Sequence, residues 1–189
     1  MKRIVTLILV VLAAVSTGCG IRPAGQGLPL TDFDKVEISN GFHVDISVGE
    51  DYSVVLKVAE DVLEDVEAVK EGDTLKIRTR PFHSIGRAAL RAEVTMPALT
   101  GLTLQNGSHV TVSGSGGDVT IIVTAGSHAN LGDFAVENAD LTARGGSHVT
   151  LNVSGTLDVE VSGGSHVLYR GEPQIGDVSI SSGSTLKQK

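Results

Sequence analysis

The tripeptide Gly-Ser-His occurs four times, at Gly107-Ser108-His109, Gly126-Ser127-His128, Gly146-Ser147-His148 and Gly164-Ser165-His166, and Gly183-Ser184-Thr185 follows with threonine in the histidine's place. The glycines lie 19, 20, 18 and 19 residues apart. A unit this short cannot bury an apolar face of its own and must stack on its neighbours, so this half of the chain is expected to be a β-solenoid of about five coils. Stacking would bring the four histidines into one column.

Aligning the copies on their glycines reveals an earlier one. Val36-Glu37-Ile38-Ser39-Asn40-Gly41-Phe42-His43-Val44-Asp45-Ile46 matches Leu102 to Val112 almost position for position. Apolar residues alternate on both sides of each glycine: Ile121 and Val123 before Gly126, Leu141 and Ala143 before Gly146, Val159 and Val161 before Gly164, Val178 and Ile180 before Gly183. Each copy therefore reads as strand, glycine corner, strand. After the corner, Val110 and Val112, Ala129 and Leu131, Val149 and Leu151, and Val167 and Tyr169 take the inward parity, which leaves His109, His128, His148 and His166 facing out. Ser108, Ser127, Ser147 and Ser165 share the inward parity at the corner, placed to hydrogen-bond the backbone of a neighbouring coil. Gly107, Gly126, Gly146 and Gly164 supply the backbone angles that the corner needs.

Composition agrees. There is no tryptophan, only four phenylalanines and two tyrosines, and 23 glycines among residues that are 41% hydrophobic. Small branched side chains with many glycines suit thin, tightly turned β coils rather than a helical bundle, so the class is all-β. The net charge is −7, and loss of Lys2 and Arg3 with a leader would make it two units more negative. Nucleic acid is not an expected partner.

The first residues are a targeting segment, not fold. Lys2-Arg3 is a basic start, Ile4 to Ala14 is an apolar run too short to span a bilayer, and Ser16-Thr17-Gly18-Cys19 ends in small residues and the only cysteine. Residues 1–18 read as a lipoprotein signal peptide, with Ser16-Thr17-Gly18-Cys19 resembling a lipobox in which Cys19 is acylated. An ordinary secretory leader with a stray cysteine is the alternative. Acylation accounts better for a lone cysteine in an exported chain and makes the membrane a partner through a lipid anchor. Gly20 after the cysteine points to outer-membrane sorting. Residues 19–30, with Pro23, Gly25, Gly27 and Pro29, read as a flexible tether.

Residues 31–100 are expected to be a smaller β-rich part ahead of the solenoid at 101–186. Tyr52 to Val58 alternates as a strand, Glu60 to Val66 suits a helical turn or two, Glu71-Gly72-Asp73 turns into a strand at Leu75 to Thr79, Arg80 to Arg87 is a loop, and Leu90 to Met96 is a further strand.

In this order and spacing the chain resembles the auto-transporter adhesin, head GIN domain family of bacterial envelopes. The residues that carry the resemblance are Val36 to Ile46 with Asn40-Gly41, Asp73-Thr74-Leu75-Lys76-Ile77, the glycine-serine repeats, Val167 to Pro173, and Ser181-Ser182-Gly183. The resemblance covers residues 31–186. It implies a β-helix-like fold, frequent lipoprotein anchoring and no established catalytic residues. Relatives usually carry Gly-Ser-Gly at the corners, so the histidine is this chain's departure.

Two columns could carry chemistry. Adjacent histidines on coils about 4.8 Å apart could converge on zinc, copper or nickel, with no carboxylate or thiolate at the same corner to complete the shell. Otherwise the imidazoles pack flat on one another as a polar ladder, open to protonation or to a surface polymer. His43 joins only if its coil stacks under that of Gly107, and His83 lies in the loop. Asp140, Asp158 and Asp177 form a second column, either splayed into water or holding a cation. Catalysis has little support: Arg144 and Arg170, the only basic residues of the solenoid before its tail, fall at different positions in the repeat, and Ser next to His in a strand points to the opposite face. The expectation is a non-enzymatic, lipid-anchored envelope protein serving adhesion, scaffolding or binding of a surface polysaccharide or envelope protein, with envelope metal binding through the histidines as the alternative. The unpaired edge of the last coil, blunted only by Lys187-Gln188-Lys189, makes a homodimer through that end a further expectation.

Overall fold

The structure, a computed structural model, describes residues 25–80 and 89–189. The signal peptide, Cys19 and His83 lie outside the described residues. The fold is all-β: the described residues form fifteen strands that join in one curled sheet and a single short 3-10 helix, Glu60–Asp65.

The repeats build a stack of rungs, each made of a strand on the first face, a corner, and a strand on the second face. On the first face lie β6 (Thr74–Thr79), β2 (Lys35–Ile38), β8 (Gly101–Leu104), the second part of β9 (His109–Val123), the second part of β10 (His128–Arg144), β12 (Thr156–Ser162) and β14 (Gln174–Ile180). On the second face lie β7 (Arg91–Met96), β3 (His43–Val48), the first parts of β9 and β10, β11 (His148–Val153), β13 (His166–Arg170) and β15 (Thr185–Gln188). Neighbours on both faces pair in parallel with the repeat in register: Val110 opposite Ala129, Ala129 opposite Val149, Val149 opposite Val167. The chain does not climb steadily, because β2–β3 sits between the later β6–β7 below and β8–β9 above. Residues 31–100 are thus continuous with the repeats and supply two rungs of the same stack.

The lower end is finished by antiparallel strands. β4 (Ser53–Lys57) pairs with β7, β5 (Val66–Glu71) pairs with β6, and β1 (Gln26–Leu28) pairs with the outer edge of β4. The 3-10 helix joins β4 to β5 and lays Val62 into the core. This corrects the reading of residues 19–30 as a tether throughout: Gln26–Leu28 is a strand, because β4 offers an unpaired edge and Leu28 and Leu30 pack on the core. The turn between β5 and β6 is where Glu71-Gly72-Asp73 was expected to place it.

Period-two alternation sets the core. Val110, Val112, Ala129, Leu131, Val149, Leu151 and Val167 are buried, as are Ile121, Val123, Leu141, Ala143, Val159 and Val161. Each buried valine, leucine or isoleucine side chain contributes roughly 1.5–3 kcal/mol relative to exposure. Phe134 closes the bend opposite Gly116, where an added Cβ would lie 2.8 Å from its ring. At Gly171 the chain turns with φ +90, and a Cβ there would sit 2.1 Å from the Val153 carbonyl oxygen, so only glycine fits.

Candidate functional site

Every described corner is a pair of left-handed residues. Asn40-Gly41, Asn106-Gly107, Ala125-Gly126, Gly145-Gly146, Gly163-Gly164 and Ser182-Gly183 all have φ between 53° and 78°. Two successive positive φ angles turn the chain sharply and favour Asn-Gly and Gly-Gly. The sequence pattern located the glycine, and the structure adds that the residue before it shares the same demand. The backbone N–H of the glycine in each of the four Gly-Ser-His corners donates to the next rung up, Gly107 to Ala125 O, Gly126 to Gly145 O, Gly146 to Gly163 O and Gly164 to Ser182 O, at 2.8–3.0 Å.

Inside the corner the serines are fully buried. Ser108, Ser147 and Ser165 donate from Oγ to the carbonyl three residues earlier, Gln105, Arg144 and Ser162, at 2.7–2.9 Å. The N–H of Ser147 donates to Ser165 Oγ at 3.1 Å, and that of Ser165 to Ser184 Oγ at 3.2 Å. The serine column therefore belongs to the fold. Ser127 is the exception, since its Oγ is buried without a hydrogen-bond partner.

Outside the corner the histidines stack flat. His43, His109, His128 and His148 have ring centroids 4.5, 4.6 and 4.7 Å apart and planes within 4° of parallel. His166 lies 5.1 Å from His148 and tilts by 47°, with its Nδ1 hydrogen-bonded to Thr185 Oγ1 at 2.9 Å. His43 joins because its coil does stack beneath that of Gly107. The Asn-Gly pair two residues before His43 is the sequence signal for it. Arg91 occupies the equivalent position below His43, and Thr185 the one above His166. The ladder of five histidines runs beside a shallow groove of about 300 Å³ whose far side is Thr111, Asn130 and Thr150.

Parallel stacking decides what the rings can do as they stand. Their in-plane lone pairs run side by side about one rung spacing apart, whereas two nitrogens on one zinc at about 2.1 Å each lie no more than about 4.2 Å apart and point toward one another. Among the described residues no group of three or more histidine, cysteine, aspartate or glutamate side chains converges on a metal position. Ligation by neighbouring histidines requires the rings to turn out of the stack. Burial lowers the pKa of His128 below its ordinary value, and the neighbouring His109 and His148 lower it further against a hydrogen bond to the Gly126 backbone.

The acidic column lies on the first face. Asp140 pairs with Asp158 across neighbouring strands, and the N–H of Asp177 donates to Asp158 Oδ1 at 2.7 Å. Thr142, Glu160 and Ser179 continue this open face. Arg144 ion-pairs with Glu160 at 2.7 Å, while Arg170 lies on the other face opposite Asn152. The two arginines do not meet, and among the described residues Asp140, Asp158 and Asp177 have no ion-pair partner.

The fold resembles that of solved structures. A crystal structure described as a "putative adhesin" from Bacteroides fragilis superposes with a TM-score of 0.58 at 12% identity, covering 90% of this chain and 100% of that one. A "putative adhesin" from Parabacteroides distasonis aligns with TM-score 0.43 at 10% identity over 88% of this chain and 96% of its own. A "putative lipid binding protein" from the same species aligns with TM-score 0.38 at 12% identity, over 89% and 97%. No curated protein matches the chain. The sequence model of one family does, over residues 32–115 and again over 103–173, so the repeat, the rung order and the match agree: the chain belongs to the family described as "Putative auto-transporter adhesin, head GIN domain".

Proposed function

We propose that the chain is a non-enzymatic, lipid-anchored envelope protein that binds a surface polymer along its histidine face. The observation that supports this is the ladder itself: four imidazoles stacked flat at 4.5–4.7 Å with His166 tilted above them, beside a groove lined by hydroxyl and amide groups. Such a face offers repeated donors, acceptors and flat ring edges to an extended ligand. The family's adhesin description fits a surface or envelope setting. Cys19, at the end of the lipobox-like Ser16-Thr17-Gly18, is the acylation site of this reading. Lyase chemistry is not supported, because Arg144 and Arg170, the arginines of the repeats, lie on different faces and no base sits beside the acidic column among the described residues.

The test is a glycan array probed with the chain from residue 20 onward, in the presence of chelator. Retained signal that is lost in His128→Ala combined with His148→Ala supports the reading; signal indifferent to that pair removes it. The metal reading rests on the same ladder with its rings turned, and takes zinc or copper. Calorimetric titration showing binding tighter than millimolar that disappears in the same double variant supports metal in place of polymer. Palmitate incorporation that persists in Cys19→Ala rules out the anchor.

A further inference from the structure

The last rung, β14–β15, is built like the others, yet among the described residues nothing lies over it. Its inward residues Ile175, Val178 and Ile180 are 42%, 43% and 45% exposed, whereas Leu157, Val159 and Val161 at the same positions one rung below are 0%, 3% and 0% exposed. Among the described strands β14 pairs only with β12, and β15 only with β13, so both present an unpaired backbone edge around an uncovered core. Edges of this kind recruit another strand unless they are blunted.

The opposite end shows which recruit fits. There β1, β4, β5 and the 3-10 helix already close the stack, with Val54, Leu56, Val62 and Val66 buried. A head-to-tail chain of copies would need two open ends, and each molecule has one. A pair related by a twofold axis uses the same open end from both copies and closes. Two such pairs keep antiparallel strands on both faces. In one, β14 meets β14 and β15 meets β15, which brings Lys187 and Lys189 of the two copies together. In the other, each β14 meets the β15 of its mate, which brings the Asp177 side of one copy to the Lys187 and Lys189 side of the other. Opposite charges across a strand pair favour the second arrangement, and like charges disfavour the first.

We infer that the chain forms a closed twofold dimer in which β14 of each copy adds antiparallel to β15 of the other, burying Ile175, Val178 and Ile180. Matching inward residues with inward ones sets Ile180 opposite Leu186 and Asp177 opposite Lys189 of the other copy. The second face of each copy, with its five-histidine ladder, then continues into the first face of the other, so the two ladders lie on opposite faces of one double-length stack.

The experiment is sedimentation equilibrium on the chain from residue 20 onward, which contains every described element. The expected result is a dimer at micromolar concentration. Val178→Lys combined with Ile180→Lys should raise the dissociation constant at least tenfold while circular dichroism stays that of a folded β protein, since both side chains are already exposed in one copy. Asp177→Lys alone, and Lys187→Asp with Lys189→Asp alone, should each weaken association, and the three together should restore it. A monomer at hundreds of micromolar, an open-ended oligomer, a dimer indifferent to the lysines at 178 and 180, or a failure of the charge exchange to restore pairing would each overturn the inference.

Discussion

The lower and upper halves of the stack solve the same corner differently. In the lower rungs the corner is Asn-Gly, and the asparagines make a ladder outside it: Asn40 Nδ2 donates to Thr79 Oγ1 at 2.8 Å and Asn106 Nδ2 donates to Asn40 Oδ1 at 3.1 Å. Inside the lowest described corner sits Phe42, fully buried, where the repeats have serine. In the upper rungs the corner is twice Gly-Gly with no side chain outside it, in the last it is Ser182-Gly183, and the serine ladder runs within. The Ala125-Gly126-Ser127 corner falls between the two and completes neither, as Ala125 ends the asparagine ladder and Ser127 Oγ has no partner. The ends differ in the same sense: the lower one is covered by antiparallel strands and the upper one is bare. A repeat fixes the spacing of the rungs and leaves the means of holding each corner and closing each end to local sequence.

Truncation of one inward position at the two ends breaks this comparison with the largest effect. Ile77 in β6 is 0% exposed and Ile180 in β14 is 45% exposed, although both are the last inward residue of a first-face strand. Ile77→Ala should cost about 2–5 kcal/mol, and Ile180→Ala well under about 1 kcal/mol when the protein is dilute enough to be monomeric. Urea unfolding at nanomolar protein concentration measures both. Equal losses would mean that the upper core is covered in the monomer.

The serines sharpen the contrast at the corners. Ser147→Ala removes a buried donor from the Arg144 carbonyl and should cost about 1–3 kcal/mol. Ser127→Ala removes a hydroxyl that is buried without a partner, and should be neutral or slightly stabilising. A Ser127→Ala loss equal to that of Ser147→Ala in the same urea series would contradict the interrupted ladder.

Acid reaches the middle of the histidine ladder before it reaches the core. Because the folded state lowers the pKa of His128, the unfolded chain binds the proton more readily; stability is complete above the ordinary value of 6.5 and declines as pH falls from there toward the lowered value. Between pH 7.5 and 5 the urea midpoint of the protein should fall further than that of His128→Gln. Identical pH profiles would show that stacking against His109 and His148 does not disfavour the charged ring. The groups facing His128 are His109 and His148 in the ladder and Asn130 beside it, so no carboxylate on the neighbouring rungs offsets the effect.

Much of this arrangement was legible in the chain. The period gave the rungs, and the alternation gave the inward set from Val110 to Val167 and turned the histidines outward, because both follow from side chains alternating along a strand. The alignment of Val36 to Ile46 with Leu102 to Val112 exposed a rung far from the other repeats. What the pattern could not give was order in space. That β2–β3 lies between β6–β7 and β8–β9, and that His43 rather than Arg91 touches His109, depends on pairing between segments far apart in sequence. β1 was hidden for another reason: Gly25, Gly27 and Pro29 have the composition of a tether, and only the free edge of β4 makes Gln26–Leu28 a strand.

The smallest expected effect bears on the corner where the two halves meet. Ala125 holds φ 53 with a Cβ and no side-chain partner, a conformation that costs an ordinary residue about 1–2 kcal/mol and costs asparagine less. Asn40 and Asn106 occupy the same position in the two rungs below, and Asn106 Nδ2 already donates downward, which leaves its Oδ1 as an acceptor facing the rung above. Ala125→Asn therefore relieves backbone strain and supplies the donor that would carry the ladder one rung higher. Thermal unfolding should show stabilisation by about 0.5–1 kcal/mol, and Asn106→Ala in the same background should remove part of the gain, because the two side chains would then be coupled. Ala125→Gly relieves the strain without the donor and loosens the unfolded chain, so it should gain less. If glycine stabilises as much as asparagine, the asparagine ladder adds nothing beyond the turn, and the two halves of the stack differ in backbone conformation alone.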